Sequence, residues 1–162
     1  MQIHTADLCD ANESSVSVAE PLFRDFGGLV SFYGKISTVK CFEDNSLVRE
    51  ALKGPGAGHV LVVDGGGSTR RALVGDILAQ SGADNHWAGI VVYGCIRDSG
   101  IIATIKIGCK AVATVPLKTE KKGAGEKDVP VHFANVDFIP GQFLYADEDG
   151  IIVSKKNLLT QT

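Results

Sequence analysis

The stretches HVLVVD at residues 59–64 and GIVVY at residues 89–93 decide the fold of this chain. Apolar runs of this length, without polar alternation, are typical of strands that are buried on both faces of a sheet. Between them, the sequence predicts a helix that begins at Gly75-Asp76 and fades by Asn85-His86. Strand, helix and strand in this order form a βαβ unit, so we expect parallel strands and an α/β fold.

Shorter elements are predicted on both sides of this unit. A helix capped by Thr5 is expected, then a loop from Pro21 to Gly28, and a helix that begins after Asn45 or Ser46. Further strands are expected at residues 36–42, 111–115, 129–133, 142–146 and 151–154. The Asp149-Gly150 pair before the last of these strands is a strong tight-turn signal. The expected architecture is a single domain over residues 1–162, with a parallel βαβ core and an added β-rich layer.

Composition limits the classes of function. The chain has 162 residues, of which 44% are hydrophobic and 22% charged, enough for one domain with its own core. Its net charge is −3 and no basic stripe alternates with aromatic residues, so direct nucleic-acid binding is not expected. The densest basic group is interrupted by glycines and glutamates and predicts a solvated loop. Its members are Lys118, Lys121, Lys122 and Lys127.

Neither secretion nor membrane insertion is expected from the sequence. The N-terminus lacks an apolar signal region, and no run of about 18 apolar residues occurs. The four cysteines are widely spaced, without a CxxC pair, which favours buried thiols in a reducing compartment over disulfides or a zinc site. They are Cys9, Cys41, Cys95 and Cys109. We therefore expect a cytoplasmic protein that does not enter a membrane.

The residues that could carry chemistry flank the central βαβ unit. Asp76 opens the predicted helix, and Arg97-Asp98 follow the next strand after twenty intervening residues. In a right-handed βαβ unit the helix begins at the carboxyl edge of the sheet, and the next strand returns to that edge. The spacing therefore predicts that two carboxylates and a guanidinium meet where open α/β sheets bind ligands.

Each residue type has a use at such an edge. Two carboxylates suit Mg²⁺ or Mn²⁺, and an arginine can grip a carboxylate or enolate oxygen. The N–H groups of Ile77 and Leu78, in the first helical turn, form a ready anion site. An α-keto acid offers a carboxylate and two adjacent oxygens, so this set suits the formation of a pyruvate enolate.

Other interpretations of the same residues stay open at this stage. Asp76 could simply cap its helix, and Arg97-Asp98 could form a surface ion pair worth about 0–1 kcal/mol. The glycines at 65–67 follow a buried strand, but they lack the G-x-G-x-x-G spacing of a nucleotide loop and favour a turn near the active edge. Arg70 and Arg71 could face a neighbouring subunit, an acidic ligand or solvent.

Four segments resemble the regulator of ribonuclease activity A family, and the likeness covers nearly the whole chain. They are DLCD at 7–10, FEDN at 42–45, VLVVDGGG at 60–67, and YAD with DGIIV at 145–153. Within that superfamily, an aspartate followed after twenty residues by an Arg-Asp pair marks the 4-hydroxy-4-methyl-2-oxoglutarate aldolases, which also decarboxylate oxaloacetate. Asp76 and Arg97-Asp98 match that pattern.

The resemblance implies a role for each matching residue. Asp98 is expected to ligate a divalent metal, Asp76 to support it through water, and Arg97 to hold the substrate. The segment Gly75, Asp76, Ile77 and Leu78 is expected to bind the substrate carboxylate. The family fold is a compact, swivelling-domain-like β/β/α domain that assembles as a ring-like homotrimer, with its sites near subunit boundaries.

The resemblance leaves two functions of different class. The first is a metal-dependent lyase that releases pyruvate from an α-keto acid through a metal-stabilised enolate. The second is a non-catalytic inhibitor that docks on ribonuclease E and alters RNA turnover, for which a mildly acidic surface would suit a basic partner segment. Longer aldolases extend past the final strand and lend an acidic residue to a neighbour's metal site, which a chain ending at Thr162 is expected to lack. The ribonuclease regulators often lack an aspartate after the arginine, so Asp98 favours the lyase.

Overall fold

The two apolar runs lie side by side as parallel strands in a computed structural model, which describes residues 2–159. Their register extends from Val60 opposite Gly89 to Asp64 opposite Tyr93. The predicted parallel pair and the helix between its strands are therefore confirmed. Both ends of the predicted 1–162 domain, residue 1 and residues 160–162, lie outside the described residues.

The described residues form four helices and twelve strands. The helices are α1 Thr5–Asn12, α2 Ser46–Lys53, α3 Asp76–Asp84 and α4 Ser99–Ile102. The strands are β1 Val16–Val18, β2 Arg24–Asp25, β3 Phe32–Lys40, β4 His59–Asp64, β5 Ala72–Val74, β6 Gly89–Ile96, β7 Gly108–Thr114, β8 Glu126–Lys127, β9 Val131–Phe133, β10 Val136–Phe138, β11 Phe143–Asp147 and β12 Gly150–Ser154.

Ten strands form one large mixed sheet, as expected of a mixed α/β domain. Its order is β1-β12-β11-β3-β4-β6-β7-β2, with β5 paired to β6 and β8 paired to β3. The strands β3, β4, β6 and β7 are parallel neighbours, whereas β11 and β12 are antiparallel to each other and β11 is antiparallel to β3. The parallel strands thus occupy the centre of the sheet.

The alternating side chains of β4 explain why its sequence is apolar throughout. Leu61 and Val63 belong to the core on the helical face, together with residues of α2 and α3. Val60 and Val62 belong to the core on the opposite face, which the hairpin of β9 and β10 supplies with Phe133. Helices, sheet and hairpin therefore form three layers, and the central strand is buried on both of its faces.

The last third of the chain, which is predicted to add a β-rich layer, is divided between the main sheet and one of its faces. The strands β11 and β12 extend the main sheet, and the hairpin of β9 and β10 packs on its other face. Sequence analysis missed β10. The turn between β9 and β10 consists of Ala134 and Asn135, with φ angles of 50° and 60°. It carries no glycine, so the usual sequence signal of a tight hairpin is missing.

Four further short strands, β1, β2, β5 and β8, were missed, and one cap was wrongly predicted. The expected loop from Pro21 to Gly28 contains β2, which pairs with β7, and the segment before Gly75 contains β5. Thr5 is the first residue of α1 rather than its cap. Its N–H and its hydroxyl both donate to the buried carboxylate of Asp147, at 2.6 Å each, so this contact ties α1 to β11.

Within residues 2–159, no helix is long and apolar enough to cross a membrane.

A pair of glycines lets an aromatic ring lie against the sheet. Gly89 on β6 and Gly108 on β7 are register partners. A Cβ atom on Gly89 would lie 2.3 Å from the ring of Phe32, and one on Gly108 would lie 2.1 Å from the same ring. Phe32 therefore occupies the space that two side chains would otherwise fill.

We expect Gly108→Ala to lower the free energy of unfolding by about 1–3 kcal/mol, because the new methyl group overpacks the core against Phe32. Denaturant unfolding followed by the fluorescence of Trp87 would measure the change. Gly100→Ala is the matched control, since a Cβ atom there meets nothing within 4 Å. Equal stability of Gly108→Ala and the wild type would contradict this account of the packing.

Candidate functional site

The candidate site is built where β5 and β6 end together. Val74 on β5 is the register partner of Ile96 on β6, and the N–H of Arg97 donates to the Val74 carbonyl at 2.9 Å. Gly75 and Arg97 therefore leave the sheet side by side. The backbone thus brings Asp76 close to Arg97-Asp98 at one edge of the sheet, as the spacing predicts.

Asp98 has an unusual backbone conformation and one free carboxylate oxygen. Its φ of 57° lies in the left-handed region, which aspartate tolerates better than most residues and which is often used at functional sites. Its Oδ2 accepts the N–H of Asp76 at 3.2 Å. Its Oδ1 has no hydrogen bond within the described residues, and 34% of its side chain is exposed. The free oxygen is available to a ligand.

The helix-cap alternative for Asp76 is wrong. Gly75 occupies the N-cap of α3, Asp76 is the first helical residue, and no side-chain cap bond is formed by the N-cap residue. It is Asp98, from the next strand end, that accepts a first-turn amide. The Nε of Arg97 is 3.9 Å from Oδ2 of Asp98, too long for a close ion pair, and 39% of the Arg97 side chain is exposed.

Gly75 allows the Asp98 carboxylate to approach the start of α3. A Cβ atom at this position would lie 2.9 Å from Oδ2 of Asp98 and 3.4 Å from Nε of Arg97. The absence of a side chain at Gly75 thus lets the Asp98 carboxylate reach the start of α3. It also leaves the amides of Ile77 and Leu78 without a side-chain cap, as an anion site requires.

A cavity of about 250 Å³ lies against this edge. It is lined by Asn45, Arg49, Ala72, Gly75, Asp76, Ile77, Leu78, Arg97, Lys118 and Lys121. Ile77 is 79% exposed, whereas Leu78 is only 8% exposed and belongs to the helical core, so Leu78 can serve a ligand only through its backbone. A larger cavity, of about 510 Å³ beside β1 and β12, contains none of the predicted site residues.

Sequence analysis missed most of the positive charge at this cavity. Lys118 and Lys121 are exposed, as a solvated loop predicts, but they also line the cavity together with Arg97 and with Arg49 from α2. The loop reaches the site because the N–H of Ala72 donates to the Leu117 carbonyl at 2.7 Å. Four cations against the single lining carboxylate of Asp76 make the cavity attractive to anions.

The loop that carries these lysines is fixed by its neighbours. The Arg71 guanidinium donates to the Lys118 carbonyl at 2.9 Å, and the hydroxyl of Thr119 donates to Oδ1 of Asn45 at 2.8 Å. Asn45 in turn donates to the Leu73 carbonyl of β5 at 3.0 Å. Arg71 thus binds its own chain, a contact that sequence analysis did not anticipate. Arg70 forms a two-contact ion pair with Glu43.

The glycine stretch at 65–67 is a turn, as its spacing favoured. Gly66 and Gly67 have φ angles of 67° and 73°, and the chain then continues into β5 rather than into a helix. A nucleotide loop requires a helix N-terminus at that point to receive phosphate. A Cβ atom on Gly65 would lie 2.8 Å from the Tyr93 carbonyl, so close packing against β6 explains this glycine.

The cysteines are structural, as predicted, at three of their four positions. Cys41, Cys95 and Cys109 are buried, Cys9 is partly exposed, and all four are free thiols. Burial raises the pKa of the Cys41 thiol to about 12, helped by the carboxylates of Asp44 and Asp64. Burial also raises the pKa of Cys109 to about 12. These thiols stay protonated near neutral pH, which makes them poor nucleophiles.

Within residues 2–159, no three His, Cys, Asp or Glu side chains come together as a metal site. A cation at this edge could therefore take one direct ligand, Oδ1 of Asp98, with Asp76 nearby. Mg²⁺ commonly binds proteins through one or two carboxylates and keeps several waters. The donor set fits a hydrated magnesium or manganese ion and does not fit a closed zinc site.

Comparison with known proteins identifies the family. The model of the RraA-like family, described as Aldolase/RraA, matches residues 5–153. The chain belongs to this family. A protein of Aromatoleum aromaticum, provisionally named a 4-hydroxy-4-methyl-2-oxoglutarate aldolase, is 60% identical over 159 residues, which cover 98% of this chain and 100% of that protein.

Two solved structures are similar over nearly their whole length. One, from Geobacillus kaustophilus, is named an S-adenosylmethionine:2-dimethylmenaquinone methyltransferase; it is 48% identical, covers 99% of each chain and gives a TM-score of 0.96. The other is the RNA-processing inhibitor RraA from Thermus thermophilis, at 44% identity, 96% and 94% coverage and a TM-score of 0.92. These three relatives carry three different functional names, so the chemistry has to be argued from the site.

We expect the contribution of Asp44 to stability to depend on acid pH. Burial alone would raise the pKa of this carboxyl, but hydrogen bonds from Ser46, Ala124 and Lys122 outweigh it and lower the pKa to about 2. Because the folded pKa lies below the unfolded value, the stabilisation is complete above about pH 4 and is lost as the pH falls towards about 2. Denaturant unfolding of wild type and Asp44→Asn across this range should show their difference shrinking as acid is added. A difference that stays constant would contradict the proposed hydrogen bonding.

Proposed function

We propose that this chain is a divalent-metal-dependent lyase that acts on α-keto acids. The proposed reactions are aldol cleavage of 4-hydroxy-4-methyl-2-oxoglutarate and decarboxylation of oxaloacetate, both of which release pyruvate. The observation that carries the proposal is the convergence of Arg97, Asp98 and the start of α3 beside a cavity lined by four basic side chains.

The charge pattern of the cavity suits the proposed substrates. Both are dicarboxylates, so they offer one carboxylate beside the keto group and a second one farther along the chain. The amides of Ile77 and Leu78 can receive the first, and Lys118 and Lys121 are available to the second. A cavity of about 250 Å³ suits a small ligand of this kind.

The metal ion belongs to the proposal and rests on the donor atoms. Asp98 would hold Mg²⁺ or Mn²⁺ through its free Oδ1, and Asp76 would hold it through a bound water. When bound, the ion supplies a Lewis acid for the keto oxygen of the substrate. The hydrogen bond from the Asp76 amide to Oδ2 uses one oxygen of the carboxylate and leaves Oδ1 for the ion.

Arg97 has the electrostatic role in this mechanism. Decarboxylation releases CO2, whereas aldol cleavage loses the proton of the 4-hydroxyl group to water and releases that carbon as the keto group of a second pyruvate. In both reactions the electron pair of the broken carbon–carbon bond stays on the first pyruvate fragment as an enolate, which then takes up a proton at carbon. The guanidinium lies on the cavity wall and its Nε stays 3.9 Å from the Asp98 carboxylate, so its N–H donors remain available to substrate oxygens. Its charge lowers the energy of the developing negative oxygen.

A second function is favoured by one comparison. The similar structure from Thermus thermophilis is named as an RNA-processing inhibitor, so docking on a ribonuclease such as ribonuclease E is the alternative proposal for this chain. The two functions can coexist, because inhibition by docking does not require the cavity. A cytoplasmic homotrimer, as the family resemblance implies, is part of both proposals.

We expect the wild type to release pyruvate from oxaloacetate and from 4-hydroxy-4-methyl-2-oxoglutarate with Mg²⁺ or Mn²⁺, and to lose this activity in EDTA. Asp98→Asn and Arg97→Ala should each lower kcat/KM by at least about a hundredfold, since each removes a group that acts on developing charge. A coupled lactate dehydrogenase assay would follow pyruvate, with the free-metal rate subtracted.

The matched control is Asp137→Asn, which changes an exposed carboxylate of the β9–β10 hairpin. It should retain wild-type activity. If Asp98→Asn is as active as wild type, the metal role of Asp98 is wrong. If the wild type does not exceed the free-metal rate with either substrate, the lyase proposal fails and ribonuclease binding becomes the function to test.

Gly75→Ala should lower activity while leaving the stability of the fold nearly unchanged. The new methyl group would lie 2.9 Å from Oδ2 of Asp98, but this oxygen is the end of a partly exposed side chain and can move away. We therefore expect the free energy of unfolding to change by less than about 1 kcal/mol, because the neighbouring side chain can shift. Activity should fall at least about tenfold, because the Asp98 carboxylate is displaced. Thermal unfolding and the pyruvate assay would be measured on the same sample. Full activity would show that the close approach of Asp98 to α3 is unnecessary.

A further inference from the structure

Asp44 is a buried carboxylate that no part of the proposed chemistry uses. It is 4% exposed and lies between β3 and α2, outside the cavity lining. Its Oδ1 accepts the N–H of Ser46 at 2.9 Å and the hydroxyl of Ser46 at 2.6 Å. Its Oδ2 accepts the N–H of Lys122 at 2.8 Å and that of Ala124 at 3.1 Å. One carboxylate therefore joins the start of α2 to the basic loop.

The basic loop, residues 117–124, has separate anchors along its length. Its first part is held by β5 and by Arg71, through the carbonyls of Leu117 and Lys118. Its last part is held by Asp44, and by the Ser46 hydroxyl, which accepts the N–H of Gly123 at 3.1 Å. Lys121 lies directly before the segment that Asp44 holds.

The last part of the loop needs such an anchor. Gly123 and Gly125 have φ angles of 71° and 131°, and the residues from Glu120 to Lys127 are exposed, so side-chain packing contributes little there. Backbone N–H groups that lost the Asp44 acceptor would be satisfied by water in many conformations. A lysine on such a segment would have to be ordered again each time a ligand bound.

We propose that Asp44 is a positioning residue for substrate binding, because it holds the backbone that presents Lys121 to the cavity. This inference rests on the proposed lyase function for the identity of the ligand, but the link between Asp44 and the loop can be tested without it. Asp44 touches neither the substrate nor the metal in this proposal and acts only through the loop.

Limited trypsin digestion of the folded protein tests the link directly. Trypsin cleaves after Lys121 and Lys122, and Asp44 is too far away in sequence to alter the cleavage chemistry itself. We expect Asp44→Asn to be cut at these two sites at least about fivefold faster than wild type, because local opening controls cleavage of a folded chain. Peptide mass spectrometry would assign the sites, and Asp137→Asn, a surface change of the same type, should be cut at the wild-type rate.

Steady-state kinetics with oxaloacetate test the consequence for binding. A loop that contributes binding energy equally to substrate and transition state alters KM and leaves kcat unchanged. We expect Asp44→Asn to raise KM about tenfold with kcat within about twofold of wild type, a pattern of lost uniform binding. General destabilisation would instead lower the active fraction, and therefore the apparent kcat, without raising KM.

Each outcome decides the proposal. Faster cleavage together with raised KM supports it, whereas unchanged cleavage, or a loosened loop with unchanged KM, overturns it. If Asp44→Asn does not fold, Ser46→Ala takes its place, since it removes the hydroxyl that both donates to Asp44 and accepts from Gly123, and smaller changes in the same direction are expected. If wild type releases no pyruvate, the lyase proposal fails while the cleavage rates still show whether Asp44 holds the loop.

Discussion

The parallel pairing of β5 with the end of β6 is the constraint on which the site depends. β5 has only three residues, yet it extends the edge of β6 so that Val74 lies opposite Ile96. The hydrogen bond from the Arg97 N–H to Val74 then fixes where the chain leaves the sheet on both strands. The strand pairing and this hydrogen bond therefore determine the positions of the start of α3 and of Arg97-Asp98. The side chains of the site are thus placed by main-chain hydrogen bonds, which few surface substitutions can disturb.

Asp98 shows how the same carboxylate serves both the fold and the proposed chemistry. Oδ2 accepts the Asp76 amide and replaces the side-chain cap that Gly75 cannot supply. Oδ1 has no hydrogen bond within the described residues, and the side chain is 34% exposed, so this oxygen is available to a ligand. The N-cap residue of α3 is a glycine without a side chain, so the cap comes from elsewhere, and Asp98 supplies it from a left-handed backbone conformation. Oδ2 therefore caps the helix, while Oδ1 of the same side chain stays accessible to a ligand.

The sequence predicted what depends on local periodicity and missed what depends on tertiary contact. β4, β6 and α3 were predictable because their apolar patterns are long, and the meeting of Asp76 with Arg97-Asp98 followed from the handedness of a βαβ unit. β2 and β5 are too short to have a pattern of their own. Arg49 and Lys118 are 69 residues apart in sequence, and only the folded chain shows that they line one cavity. The basic loop looked like solvated surface because its anchors, Asp44 and Asn45, lie in an earlier part of the chain.

The site has a part held by the backbone and a part carried by a loop, and this difference explains how proteins of one fold can carry several functional names. The frame of the site, from Val74 to Asp98, is held by backbone pairing and by glycines, so proteins that share the fold can share it whatever they bind. The basic side chains of the cavity are held differently. Lys118 and Lys121 lie on a loop whose shape depends on a few side-chain contacts with Asn45 and Asp44. A relative that kept the frame and lost those contacts would retain the fold and the position of Asp98, but not the basic side chains that we propose to bind the second carboxylate of the substrate. What distinguishes a lyase from a docking protein in this fold should therefore be sought in the loop and its anchors, with Asp98, rather than in the sheet.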